Sequence, residues 1–519
     1  MAASVQVETK SVLPVGAIAW YLTFLLLLVL LQVLWSDAVS GKDFDSLNLL
    51  VPLAFGAANL LLAWTLMRTS PLAIWNPLFW LLLASTLYYG MGQLVHLLGN
   101  PDTIQRVNKL YFVDQAGLAR TNLLNTVGVM MIVGAYLATA LLLRTGKDGV
   151  SPVVNSETED AHGVREARWA VLLFLSIGLP VKYFLQLPYD LGLLTWVLPG
   201  SIKYLSTLSG VALIPLYWLH KKRGGIYRPL FFSLFAAELL VGVVNLSKLE
   251  MIKTVLFVVL GAQLVKPGLK KFVLSGIVII TAYVLIVNPF VSFARVAIGR
   301  AAATDLSQAM SLVEQYNKKG GPAQDAEFPR AQLWWTRLAY SNVELFAMRQ
   351  YDRGHPGTTF KLALYTLIPR FILPDKPTMT TGLEFTYLIT GDANLMSHTG
   401  VGVLGEGYWN WGWLGVAAVG VVVGLLLAGL YHVSARIIEA RLFMFVPVAM
   451  AGILFGLRID DWFVPTYLGT TVQLLLMYLA MQYVVRPMIS GNSNMSERSG
   501  LNRGGLSEET RRQFPLVSR

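Results

Sequence analysis

Seven arginines fall between about residues 291 and 410: Arg295, Arg300, Arg330, Arg337, Arg349, Arg353 and Arg370. A guanidinium keeps its charge at any relevant pH and forks onto two oxygens of a phosphate or carboxylate. Ten acids accompany eleven lysines and arginines in this stretch, so ion pairing can account for part of the charge. Arg330, Arg337 and Glu344 are spaced by sevens, nearly two helical turns. That spacing predicts one polar stripe on a helix over 329–350, joined by Ser341 and flanked by Trp334 and Tyr340. The stripe reads either as an anion-binding face with aromatic platforms for sugars, or as a solvated amphipathic helix.

Acid–base candidates lie further on. Glu406 stands between Gly405 and Gly407 in a segment rich in Tyr408, Trp409, Trp411 and Trp413. A carboxylate beside apolar rings at a membrane surface holds its proton more tightly, which suits a general base. The same residue also fits a helix N-terminus, where the dipole favours an acid, with the tryptophans as an interfacial belt. His398 is a second candidate base. The six histidines show no metal-binding spacing, and no metal or cofactor is expected. Asp43 and Asp45 form a compact acid pair that reads more simply as a helix start before Leu47. No phosphate-binding glycine loop or nucleophile elbow occurs.

The elements that must position these groups are apolar. Of 519 residues, 55% are hydrophobic and 14% charged, where a soluble domain carries about 25% charged. Runs long enough to cross roughly 30 Å of hydrocarbon recur along the chain. They predict an all-α, polytopic transmembrane bundle of about 12 spans, at about 13–35, 47–67, 75–97, 123–143, 169–187, 202–219, 229–247, 251–265, 271–290, 411–431, 442–457 and 465–485. Residues 1–290 form an N-terminal bundle of nine spans, 291–410 an extracytoplasmic loop, 411–486 the C-terminal spans, and 487–519 a disordered tail. The first run reads as a retained span.

The formal charge of +11 does not point to nucleic acid, because much of it sits in short loops and the tail. Lys221, Lys222, Arg223 and Arg228 crowd one loop, and Lys266, Lys270 and Lys271 another. The positive-inside rule puts both loops, the tail and both termini in the cytoplasm. Segment 291–410 is then extracytoplasmic, with the loop 458–462. The apolar run 359–373, broken by Lys361, Pro369 and Arg370, reads as a re-entrant or interfacial helix. Cations near spans are disfavoured on the outer side, and burying one costs about 2.5–3.5 kcal/mol. Arginines placed there therefore call for a fixed anion.

Two motifs close the segment. Pro369-Arg370-Phe371-Ile372-Leu373-Pro374-Asp375-Lys376-Pro377 is followed by Gly405-Glu406-Gly407-Tyr408-Trp409-Asn410-Trp411-Gly412. Together with the large loop near the C-terminal third, they resemble the O-antigen (Wzy-type) polysaccharide repeat-unit polymerases, over about fifty residues. The resemblance implies an inverting, metal-independent membrane glycosyltransferase of the bacterial inner membrane. It would move a glycan from undecaprenyl diphosphate onto a new lipid-linked repeat unit, beside a flippase and a chain-length regulator. On that reading Arg295, Arg300, Arg337, Arg370, Lys376 and Arg458 bind diphosphate. Glu406 or His398 is the base, and Trp334, Tyr408 and Trp409 contact sugar. An O-antigen ligase or another GT-C glycosyltransferase is the nearest alternative. A flippase or transporter would place charge inside the spans, whereas here charge is expected at their outer ends and in one loop.

Overall fold

A computed structural model describes residues 13–38, 44–70, 72–99, 101–144, 156–194, 198–297, 306–318, 335, 338–368, 372–373, 375–377, 379–392, 395 and 398–487. Among them all regular structure is helical. Hydrocarbon cannot satisfy a free N–H or C=O, so a spanning segment must bond its own backbone. The chain is an all-α polytopic membrane protein.

All twelve expected spans fall on helices. Among the described residues ten helices are long and apolar enough to cross a bilayer. The other two expected spans coincide with the apolar helix Phe443–Leu457 and with Lys248–Val265, which carries Lys248, Glu250 and Lys253. The helices used below are α1 (Gln115–Arg144), α2 (Ser156–Pro180), α3 (Tyr227–Val244), α4 (Lys248–Val265), α5 (Ser341–Asp352), α6 (Val403–Glu439), α7 (Val446–Leu457) and α8 (Gly469–Ala480). The chain divides into two compact units, residues 1–470 and 471–519. Described residues 471–487 of the second unit are helical throughout.

Side chains set the helix starts. Asp114 Oδ1 accepts the Gly117 N–H at 2.6 Å where α1 begins, and Ser247 Oγ accepts the Glu250 N–H at 3.3 Å before α4. Asp45 sits in the first turn of the helix Phe44–Thr69, as the helix-start reading of that acid requires.

The helix expected over 329–350 is shorter than its periodicity suggested. Helix α5 begins at Ser341 and Leu338–Tyr340 are non-helical, so the stripe does not run as one helix from 329. Arg330 and Arg337 lie outside the described residues. The interrupted run near 359–373 forms a short turn, Thr359–Leu362, and a one-turn helix, Ala363–Leu367. Five helical residues cannot cross a bilayer.

Segment 338–401 carries its own apolar core. Val343, Phe346, Ala347, Phe385, Ile389 and Val401 pack with Trp409 and Trp462, and Tyr340 and Tyr351 lie against them. This cluster ties α5 to the start of α6 and to the turn before α8. Helices α1 and α6 meet closely along small residues. A Cβ added at Gly424 would lie 2.4 Å from the Ile132 carbonyl oxygen and 2.9 Å from the Tyr136 nitrogen, whereas one at Gly429 meets nothing within 4 Å.

Gly424→Ala therefore forces two backbones apart, with an expected loss of about 1–3 kcal/mol. Gly429→Ala should change stability by less than about 1 kcal/mol. Thermal unfolding in detergent tests the pair, and equal melting temperatures would disprove the close approach.

Candidate functional site

Glu406 and its neighbours occupy a fold of the backbone. Gly402 adopts φ +78°, with its Cα beside the Glu344 carboxyl, and Gly412 adopts φ +58° against the Tyr351 ring. A side chain is strained at either position. At Trp411 and Gly412 the helix breaks and redirects, which brings Gly407 against Gly415 so closely that a Cβ on Gly415 would overlap the Gly407 carbonyl. The glycines of this motif are thus required by close backbone approach.

The polar residues of the motif tie the preceding segment down. Asn410 Nδ2 donates to Thr359 Oγ1 at 2.8 Å, and Asn410 Oδ1 accepts the Phe360 N–H at 3.2 Å. Trp409 Nε1 donates to the His355 carbonyl at 3.1 Å, and its ring is buried in the apolar cluster. Tyr408 is 3% exposed; its hydroxyl donates to Asp352 at 3.2 Å and accepts from Arg120 at 2.5 Å. Neither ring presents an open face to a sugar. Expected as sugar contacts, both act here as braces.

Glu406 is fully buried. Its Oε2 accepts the N–H of Phe463, and that of Val464 at 3.4 Å, in the π-helical turn that leads into α8. The carboxyl group therefore satisfies two N–H groups at the start of another helical element, a contact its position at the N-terminus of its own helix did not foretell. His398 is exposed and packs against Gly382.

A second buried acid escaped notice as anything but part of a polar stripe. Glu344, in the first turn of α5, is fully buried; its Oε2 accepts from Asn125 Nδ2 on α1 at 3.0 Å. Burial pushes its pKa from 4.5 up to about 8, against the opposing hydrogen bond from Asn125. Asp460 is shifted the same way. Burial, then the adjacent Asp461, raise it to about 6, although Tyr340 donates to its Oδ2 at 3.0 Å. Tyr89 donates to the Ile459 carbonyl at 3.2 Å, and that oxygen also accepts the Val403 N–H at 3.0 Å. Segment 338–401, the start of α6 and loop 458–462 are thereby locked together.

Charge also lies inside the bundle, contrary to expectation. Lys182, in the π-helical turn that follows α2, pairs with Glu238 of α3 at 2.5 Å and reaches Glu250 of α4 at 3.9 Å. These residues line a cavity of about 140 Å³ with Lys253, Thr254 and Arg458. Arg458, expected to bind diphosphate, thus faces a chamber whose other charged groups the sequence reading did not single out. A lysine or glutamate within an apolar run looks like an isolated interruption. Only helix packing brings such residues together.

The other expected anion ligands are placed less fully. Lys376 donates to the Tyr365 and Ile368 carbonyls at 3.2 and 3.0 Å, closing the end of the helix Ala363–Leu367. Arg295 lies on the helix Asn288–Ala297. Arg300, Trp334, Arg337 and Arg370 lie outside the described residues. Among the described residues no three histidines or acids converge as metal ligands.

Two outcomes test these roles. Glu344 holds its proton in the folded chain above the pH at which the unfolded chain releases it. Its stabilisation is full below about pH 4.5 and is lost as pH rises to about 8. Glu344→Gln should remove that part of the decline in melting temperature; parallel curves for the two proteins would refute the buried proton. Glu406→Ala leaves two N–H groups unpaired and should cost about 2–4 kcal/mol. Glu406→Gln, still able to accept a hydrogen bond, should cost less than half as much by thermal unfolding. Against these features, no family model matches the chain, and no curated protein or solved structure matches it significantly.

Proposed function

We propose that this chain is an integral-membrane glycosyltransferase that polymerises undecaprenyl-diphosphate-linked oligosaccharide units into a surface polysaccharide. The reaction would take place at the extracytoplasmic face of a bacterial inner membrane, with both termini in the cytoplasm. The supporting observation is the anchoring of segment 338–401 against loop 458–462, whose Arg458 also lines a cation-bearing cavity between spans. A polymerase of this kind needs that combination. The glycan is handled outside the bilayer while its lipid diphosphate stays at the span ends.

In the proposed reaction an acceptor hydroxyl attacks the sugar carbon bonded to the diphosphate, and negative charge grows on the leaving group. Fixed guanidinium and ammonium groups aimed at that charge stabilise the transition state, each contributing about 10²–10³ in rate. Arg458 is the described candidate for this role, beside Arg295, Arg300, Arg337 and Arg370 of the polar segment. The attacking hydroxyl needs a base within hydrogen-bond reach. His398, exposed on the segment, is better placed for access than Glu406, which is committed to the Phe463 and Val464 N–H groups. The partners on this reading are the lipid-linked oligosaccharide, a flippase and a chain-length regulator.

A lipid-linked-oligosaccharide flippase is the second reading, favoured by the Lys182–Glu238 pair within the spans. Purified protein given only lipid-linked repeat units separates the cases. A polymerase lengthens the glycan on its lipid, a ligase needs a different acceptor, and a flippase leaves the chain length unchanged. In cells, Arg370→Ala should slow polymerisation about 10²–10³-fold and leave short chains at normal protein level. Normal long-chain polymer in that strain would overturn the diphosphate role of Arg370.

A further inference from the structure

The cavity between α3, α4 and α7 holds three cations and two carboxylates, and the charges are not evenly matched. Lys182 is consumed by Glu238 at 2.5 Å, with Glu250 as its second neighbour at 3.9 Å. Lys253 and Arg458 line the same space, and among the described residues neither makes an ion pair within 4 Å. Among the lining residues three basic side chains face two acidic ones, with Glu250 acting on Lys253 and Asp460 on Arg458 from beyond ion-pair distance. The two unpaired cations face the chamber together with Thr254. A cation among spans is costly unless an anion or water meets it. On the scale where one water needs about 10–15 Å³, the cavity volume of about 140 Å³ admits a phosphate-sized group as well as several waters.

We propose that this cavity binds the phosphate moiety of a phosphorylated ligand, held by Lys253 and Arg458, with Lys182 kept in place by Glu238 as the third positive group. The basic lining of the chamber favours entry of the ligand by its phosphate end. Arg458 and Glu250 lie at the ends of α7 and α4. A polyprenyl diphosphate can therefore place its head group in the cavity while its tail remains in lipid; free pyrophosphate carries the same chemistry without the tail. The inference rests on the polymerase reading for the identity of the lipid, and its binding test is independent of catalysis.

The test uses the full chain in lipid nanodiscs, titrated with inorganic pyrophosphate and, separately, with a short-chain polyprenyl diphosphate. Lys253→Gln and Arg458→Gln should each weaken binding roughly tenfold or more, the usual contribution of a charge-assisted contact. Neither change removes an ion pair, so melting temperatures should hold, and Lys253→Arg should keep affinity within a few-fold. Binding of the polyprenyl form alone identifies the lipid as the source, and equal binding of pyrophosphate identifies the free ion. Failure of both probes to bind, or unchanged affinity in both glutamine variants, overturns the proposal. If binding behaves as stated but lipid-linked repeat units are not lengthened, the cavity stands and the polymerase reading falls. If they are lengthened while the variants bind like the wild type, the cavity proposal falls and the polymerase reading stands.

Discussion

Hydrocarbon supplies no hydrogen-bond partner, and that constraint decides where this chain can keep a polar group. Three buried ionisable side chains are met by elements distant in sequence. Lys182 meets Glu238, Glu344 meets Asn125, and Glu406 meets the backbone of Phe463 and Val464. These contacts determine which helix ends stand side by side. Glu344 fixes α5 to α1, and Glu406 fixes the start of α6 to the turn before α8. A segment too polar to span is thereby held against the spans by two buried acids and by the apolar cluster around Phe385.

The glycine-rich motif contributes geometry. Gly402 and Gly412 take backbone conformations that L side chains rarely adopt, and Gly407 and Gly415 allow the chain to touch itself. The result is a sharp redirection of α6 that presents Trp409 and Asn410 to segment 355–360. A motif can therefore act through geometry alone, by setting where the segment before it lies.

How much of this was legible in the sequence differs by scale. The spans were readable because an apolar run has to be a helix in lipid, and each of the twelve expected runs falls on one. Lys361 and Pro369 within an apolar stretch pointed to a re-entrant or interfacial helix over 359–373, where the chain forms only a 3-10 turn and one short helix. The interior charges were not. Lys182, Glu238 and Lys253 sit on three separate helical segments, and no periodicity along one strand of sequence reports that they converge. Tyr408 and Trp409 were open to two readings for a related reason. Aromatic residues beside a span resemble an interfacial belt or a sugar platform equally well, and only their burial against Tyr351, Phe385 and Trp462 separates the cases.

The sign of the cavity bears on the choice between moving a solute and holding one. A path for a cation would line its narrow point with carboxylates in excess, because a desolvated cation needs them. Here the better-buried carboxylate is already occupied by Lys182, and the unpaired groups are Lys253 and Arg458. Low dielectric strengthens the pull of those two cations on an anion relative to water. Arg458 caps the end of α7 and Lys253 lies in the second turn of α4. On the proposed reading, such a site would hold a negative group still beside the polar segment, which is what a transfer reaction asks of its leaving group.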